Sequence, residues 1–287
     1  MKINRALSFI FIFIVYALAT LVGLVTYSLL ELHFWLALLI ADVAATAVVF
    51  VFSLIFNNAS VYDPYWSVQP LVIVVAFATT QIMTPIKILL IIAISLWSLR
   101  LTANWAYTFK GMEHQDWRYT MLKDKTDSFY PVVNFLGIHL VPTLIVYACV
   151  LPVVYVFKSE AFGNVYAYMF VAISIIAVCL QSVADCQMHK FRKNSNGQVF
   201  IRNGLWKYSR HPNYLGEILM WWGIGFASVF SLWGHWYLLF GALINTLLFL
   251  FVSIPMADKR QSSKEGFDDY KKQTRMLLPI RKVIKDK

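Results

Sequence analysis

Apolar residues run along this chain in long blocks rather than amphipathic stripes, and polar residues are confined to the gaps between them. A helix that crosses a bilayer needs about 20 predominantly apolar residues. Blocks of this kind run from Ala6 to Leu30, Phe34 to Phe56, Val68 to Met83, Ile86 to Thr108, Phe135 to Phe157, Val165 to Cys186, Tyr214 to Leu232 and His235 to Met256. The pattern predicts an all-α, polytopic transmembrane helix bundle of about eight spans. The third block is short and carries Pro70 near its start. The first is longer than a signal-peptide core and lacks a small-residue cleavage pattern, so it is expected to remain as a spanning helix.

Basic residues orient the bundle. With Lys2 and Arg5 inside, the connections Asn57 to Trp66, Phe109 to Tyr130 and Gln187 to Asn213 and the C-terminal tail also fall inside. Those segments hold nearly every Lys and Arg; Lys87 and Lys158 are left outside, and Arg100 lies within a span. This asymmetry follows the positive-inside rule and places both termini in the cytoplasm. One integral membrane domain is expected over 1–287, with an N-terminal helix pair at 1–56, a helical core at 57–257 and a basic cytoplasmic tail at 258–287.

Composition narrows the function. Of 287 residues, 59% are apolar and 14% charged, against roughly 45–50% and about a quarter in soluble domains. Disorder, collagen-like repeats and a plain cytosolic globule are excluded. The net charge of +10 resides in the inner loops and tail, so membrane lipid rather than nucleic acid is the expected partner. Cys149, Cys179 and Cys186 form no CxxC pair, and no metal site is expected. GxSxG, HExxH and P-loop motifs are all missing.

Charged side chains in lipid cost at least about 2.5 kcal/mol each on insertion scales, so they mark cavities or partners. Asp42, Arg100, Asp185 and Glu217 are such residues. Spacings of four and seven put Asp185, His189 and Arg192 on one helical face at the cytoplasmic boundary. The densest polar cluster follows in GLWKYSRHPNYLGEILMWWGIG, Gly204 to Gly225. Pro212 suits a first helical turn, and the helix would project Asn213, Glu217 and Trp221 from one face. Its start directs N–H groups and partial positive charge to the side where Lys207, Arg210 and His211 lie, a setting that attracts phosphate. Arg192, Lys193 and Arg202 would neutralise a pyrophosphate and a further phosphate monoester. Gly223 and Gly225 do not make a Rossmann fingerprint, because no strand precedes them, and are expected to permit close helix packing.

DCQMHKFR, the block from Gly204 to Ile224, the following Ile254-Pro255 and the terminal GFDDYKKQTRMLLPI together resemble the steroid 5-alpha-reductase-like membrane reductases, most closely their DUF1295 branch. DPYW, WSLRLT and QDWRY upstream also resemble that branch, so the similarity extends from Asp63 to the C-terminus. The resemblance implies a multi-helix membrane enzyme that transfers hydride from NADPH to a carbon–carbon double bond of a lipophilic substrate: a sterol, a ketosteroid, another unsaturated lipid or an isoprenoid. It implies a cytoplasmic cofactor site at Asp185, Arg192, Tyr208, Arg210, His211, Asn213 and Glu217, with arginines suited to a 2′-phosphate. The acceptor needs a hydrogen-bond or proton donor. Tyr62 and Tyr65 are the candidate donors, with Asp42 and Asp63 as orienting or proton-supplying acids. The chain departs from the family pattern after Pro255, where Asp258 stands near the position of a glutamate in many relatives; Arg260 and Tyr270 of the tail would close over the cofactor. The alternatives are an S-adenosylmethionine-dependent methyltransferase of the isoprenylcysteine type, which has a similar RHPxY stretch, and a non-enzymatic transporter or lipid-binding scaffold. Endoplasmic reticulum and bacterial inner membrane fit the sequence equally.

Overall fold

The computed structural model describes residues 4–195 and 199–279, and among them every regular element is helical. In chain order the helices are α1 (Arg5–Leu29), α2 (Phe34–Ile55), α3 (Tyr65–Ala78), α4 (Pro85–Thr108), α5 (Trp117–Thr126), α6 (Tyr130–Val133), α7 (Val141–Phe157), α8 (Val165–Lys193), α9 (Pro212–Leu232), α10 (Phe240–Leu248), α11 (Ile254–Gln261) and α12 (Phe267–Gln273). A 3-10 turn, Ala59–Tyr62, precedes α3, and π-helical turns at Asn134–Leu140 and Phe249–Ser253 run into α7 and α11. Among the described residues, seven stretches are long and apolar enough to cross a membrane: α1, α2, α4, Trp117–Phe157, α8, α9 and Trp236–Gln261. This is a multi-pass membrane protein.

The third of the eight expected spans, Val68 to Met83, is not among the seven. It folds as α3, whose 14 residues reach about 21 Å at 1.5 Å per residue, short of the roughly 30 Å hydrocarbon core. Pro64 fixes its start, and the polar run Thr79, Thr80 and Gln81 follows its end. An even count of full-length spans therefore no longer supports placing both termini on one side; the inner loops are assigned by their basic residues alone.

The chain forms two compact units, one holding residues up to 82 together with 97–154, the other 83–96 together with 155 onward. In the first, Asn4 caps α1 by accepting from the Leu7 N–H, and the short connection after Leu29 turns the chain back into α2. Gly23 faces Ala45 of α2: a Cβ built on it would lie 3.4 Å from that of Ala45, an ordinary van der Waals contact. The inward face of α2 carries Ala41, Ala45 and Val49 but also buried Asp42, Thr46 and Ser53. Hydrogen bonds from the Asn58 amide to the Met112 carbonyl, from Ala59 N–H to Gln115 Oε1 and from Asp116 N–H to Ser60 Oγ fasten the turn before α3. On its outer side α1 leaves Phe13 and Leu29 more than 70% exposed, as suits a surface solvated by acyl chains.

The second unit is organised by α8 against α9. A Cβ on Gly223 would stand 2.2 Å from Ser174 Oγ and 2.9 Å from the Phe170 carbonyl; one on Gly216 would stand 2.4 Å from Gln181 Cγ. The glycines expected to serve close packing therefore include Gly223, with Gly216 beside it. Asn164 caps α8 through the Ala167 N–H and ties it to α9 by donating to the Phe230 carbonyl.

Candidate functional site

Polar groups of the second unit gather where α8 ends and α9 begins. Pro212 takes the first helical position of α9, where its missing N–H removes no hydrogen bond. Just before it, Arg210 and His211 are buried and converge on Asp258 of α11. Arg210 Nη2 donates to Oδ2 at 3.0 Å and His211 Nε2 to Oδ1 at 2.9 Å. The other terminal nitrogen of Arg210 donates to the carbonyls of Thr274 at 2.7 Å and Lys271 at 3.3 Å. Its backbone N–H donates to the Arg275 carbonyl. Tyr270 Oη donates to the Trp206 carbonyl, and the Trp206 indole donates to that of Ala184 on α8. Burial raises the Tyr270 phenol above its ordinary range, against the nearby Arg210 charge.

These bonds form a clamp that holds α12 and the residues after it against the segment preceding α9. Arg210 and His211 thus do not stand outward as loop cations, which is how spacing alone presents them. In a buried setting a carboxylate is the strongest partner within reach, and Asp258 draws both inward. The His211 ring stacks on Tyr214 with centroids 5.3 Å apart.

Positive charge remains at the rim of the clamp. Arg192 lies within electrostatic reach of Arg260, Asp185 and Tyr214. His189 feels Asp185, Arg192 and Lys193, as a shared helical face requires. Lys264 donates to the Val199 carbonyl at 2.9 Å, and its ammonium is held below the usual lysine range, first by burial and then by Arg260 and Arg192. Three cations therefore crowd together with Asp185 as the acid within reach of Arg192. Nearby in sequence, Arg210 Nε and Asn213 Oδ1 are buried atoms with no hydrogen-bond partner. Glu217 is buried and accepts from the Trp221 indole at 3.0 Å. Arg202 and Tyr208 are exposed on the connection between α8 and α9. This donor set suits an anionic nucleotide: cations for phosphate, the N-terminal end of α9 for further negative charge, and an orphaned donor and acceptor for neutral polar groups.

The first unit holds a separate polar cluster. Tyr62 Oη and Thr143 Oγ1 are 2.8 Å apart, Thr143 and Thr46 hydroxyls 3.0 Å, and Tyr65 reaches Thr46. Asp42 Oδ2 accepts from Gln69 Nε2 at 2.5 Å. Asp63 has different company: it accepts from Tyr119 Oη at 2.6 Å, with Arg118 4.0 Å away. Burial raises the Asp63 carboxyl to about 6 despite these two stabilising neighbours. On the π-helical turn, His139 Nδ1–H donates to the Asn134 carbonyl at 3.0 Å, its ring lies 4.7 Å from that of Tyr62, and Nε2 has no partner. Asp42, Tyr62 and Tyr65 thus share one polar interior, and Asp63 fastens the turn before α3 to α5. Thr46, Gln69, His139 and Thr143 are new members. Thr46 stands one turn from Asp42, and Thr143 one turn from His139; that four-residue spacing was the available signal.

No curated protein and no solved structure matches the chain. Residues 49–274, which include both polar clusters except Asp42 and Thr46, match a family described as a protein of unknown function, DUF1295. Because that match covers well over half of the 287 residues, the chain belongs to the DUF1295 family.

Proposed function

We propose that this protein is an NADPH-dependent membrane reductase of the steroid 5-alpha-reductase-like kind, acting on a carbon–carbon double bond of a lipophilic substrate. The observation that carries the reading is that Arg192, Arg260 and Lys264 lie within electrostatic reach of one another, Arg192 also reaching Tyr214 in the first turn of α9, with Arg210 Nε and Asn213 Oδ1 buried and unpaired. The resemblance of the RHPNYLGE block supports it. When bound, NADPH supplies the hydride. Arg192, Arg260 and Lys264 neutralise phosphate charge, and the N–H groups at the start of α9 add partial positive charge. Asn213 Oδ1 accepts from a ribose or amide donor, and Glu217 is held for the same purpose by Trp221. The Arg210–Asp258–His211 clamp keeps the tail, with Tyr270, closed at this site. In the first unit Tyr62, with Tyr65 at the other end of the same hydroxyl chain, donates to a conjugated carbonyl oxygen, and Asp42 supplies the proton that completes the addition.

Thermal unfolding of the purified protein with NADPH, NADH and S-adenosylmethionine tests the reading. A ligand at about a hundred times its Kd adds about 2.7 kcal/mol of apparent stability. NADPH should shift the transition most, and Asn213→Ala should remove that shift while leaving the unliganded transition in place. No shift with NADPH would end the proposal. One observation favours a second reading: Asp258 grips both members of the Arg210–His211 pair, giving the RHP stretch a downstream acid, as in isoprenylcysteine-type methyltransferases. Stabilisation by S-adenosylmethionine alone would move the assignment there.

A further inference from the structure

Asp42 of α2 and Gln69 of α3 meet in the interior of the first unit, 5% and 6% exposed. One hydrogen bond joins them, Gln69 Nε2–H to Asp42 Oδ2. The remaining side-chain atoms, Asp42 Oδ1 and Gln69 Oε1, are both buried, both without partner and both acceptors. Exchanging the amide oxygen and nitrogen would set Gln69 Oε1 2.5 Å from Asp42 Oδ2, acceptor against acceptor, so it does not remove the deficit. Asp42 makes no ion pair among the described residues; the neighbours that feel its charge are Tyr62 and Tyr65. An ionised carboxylate buried this way, with no cation and half its acceptors idle, is the costliest form the pair can take.

A single proton resolves the deficit. Placed on Asp42 it is donated to Gln69 Oε1 while Gln69 Nε2–H is donated to the other carboxyl oxygen, closing an acid–amide ring in which each buried atom is used. We propose that Gln69 is a positioning residue that holds Asp42 as a carboxylic acid, so that the pair is a built-in proton reserve. One helical turn along α2, Thr46 begins a chain of hydroxyls that continues through Thr143 to Tyr62. With Tyr65 bonded to Thr46 at the other end, four hydroxyls joined by three bonds use three of their four protons internally, which leaves one to donate outward. When Tyr62 gives that proton away, Thr143 reprotonates it, Thr46 reprotonates Thr143, and the Asp42 acid one turn along α2 reprotonates Thr46, so that the negative charge comes to rest on the Asp42 carboxylate. This use as a proton source rests on the reductase reading; the acid–amide pair does not.

Infrared spectroscopy of the full-length protein in lipid at neutral pH, without nucleotide, tests the pair. A protonated carboxyl has a carbonyl stretch that a carboxylate lacks, and solvent deuteration lowers its frequency. The wild-type spectrum minus that of Asp42→Asn should show this acid band. Asn supplies the same donor and acceptor to Gln69, so the variant retains both bonds and is expected to fold. Gln69→Leu should keep the band and move it to higher frequency, since the acid loses its amide partner. A purely structural glutamine next to a carboxylate gives no band to move. Carboxylate bands in place of an acid band in the first difference would overturn the proposal. Should Asp42→Asn fail to fold, wild type minus Gln69→Leu carries the decision: paired features in the acid region support the ring, and a flat trace there overturns it. Because nucleotide is left out, this experiment and the NADPH titration fail independently.

Discussion

Replacing Asp258 with alanine removes the common acceptor of Arg210 and His211, whose side chains are 7% and 9% exposed. Breaking a buried ion pair from one side costs roughly 3–5 kcal/mol. Arg210 keeps the carbonyls of Thr274 and Lys271, so its share falls near the low end, about 3 kcal/mol. The stranded His211 N–H adds about 1 kcal/mol. Arg210 links Asp258, in the last candidate span, to the tail carbonyls of Lys271 and Thr274, so the cost is expected to appear as looser seating of Arg210 and with it of the segment 267–275. At 1.4 kcal/mol per factor of ten, the summed cost of about 4 kcal/mol multiplies the undocked population nearly a thousandfold. Lys271, Lys272 and Arg275 lie in that segment, so limited trypsin digestion reads the change, with cleavage following the open population when opening is fast. Cleavage there should accelerate strongly in Asp258→Ala and less in Asp258→Asn, which retains one acceptor. Equal rates in wild type and Asp258→Ala would refute the clamp. The same geometry makes Arg210→Ala a poor probe of nucleotide binding, since it undocks the tail as well; Asn213→Ala is the cleaner variant.

Gly223→Ala should lower the unfolding temperature in detergent: its Cβ would meet the Phe170 carbonyl of α8 at 2.9 Å, and overpacking of about 1–3 kcal/mol exceeds a helix-propensity gain of about 1 kcal/mol. An unchanged or raised temperature would contradict the close α8–α9 packing. Asp63, raised from 3.8 to about 6 by burial, contributes stability that is full below pH 4 and lost as pH rises through 6. Asp63→Asn should flatten the stability profile over that window, and a slope identical to wild type would count against the burial of Asp63. Under the reductase reading, Tyr62→Phe should lower turnover by about a hundredfold or more without altering the NADPH thermal shift; wild-type turnover would remove this hydroxyl from the chemistry.

Apolar block length settled the membrane class, because a span must satisfy its backbone internally over a fixed thickness and only a long apolar helix does so. The start of α9 was legible for a local reason as well: Pro212 can begin a helix and cannot sit in its interior. Gly223 was legible as a packing residue, and Asp185, His189 and Arg192 as one face, since helical period alone decides both. Span length was less secure. Val68 to Met83 looks apolar enough, but Pro64 and the polar run after Ala78 leave 14 residues in helix.

Partners distant in sequence were out of reach of any local pattern. Arg210 and Asp258 are 48 residues apart, Asp42 and Gln69 27, Tyr62 and Thr143 81. Which of these polar groups faces a ligand and which is consumed inside the protein depends on what packing brings within about 3 Å, and that distance is fixed only when helices dock. Hence the residue types that carry charge and protons were visible in the sequence. The turning inward of Arg210 and the idle oxygens of Asp42 and Gln69 were decided by tertiary structure alone.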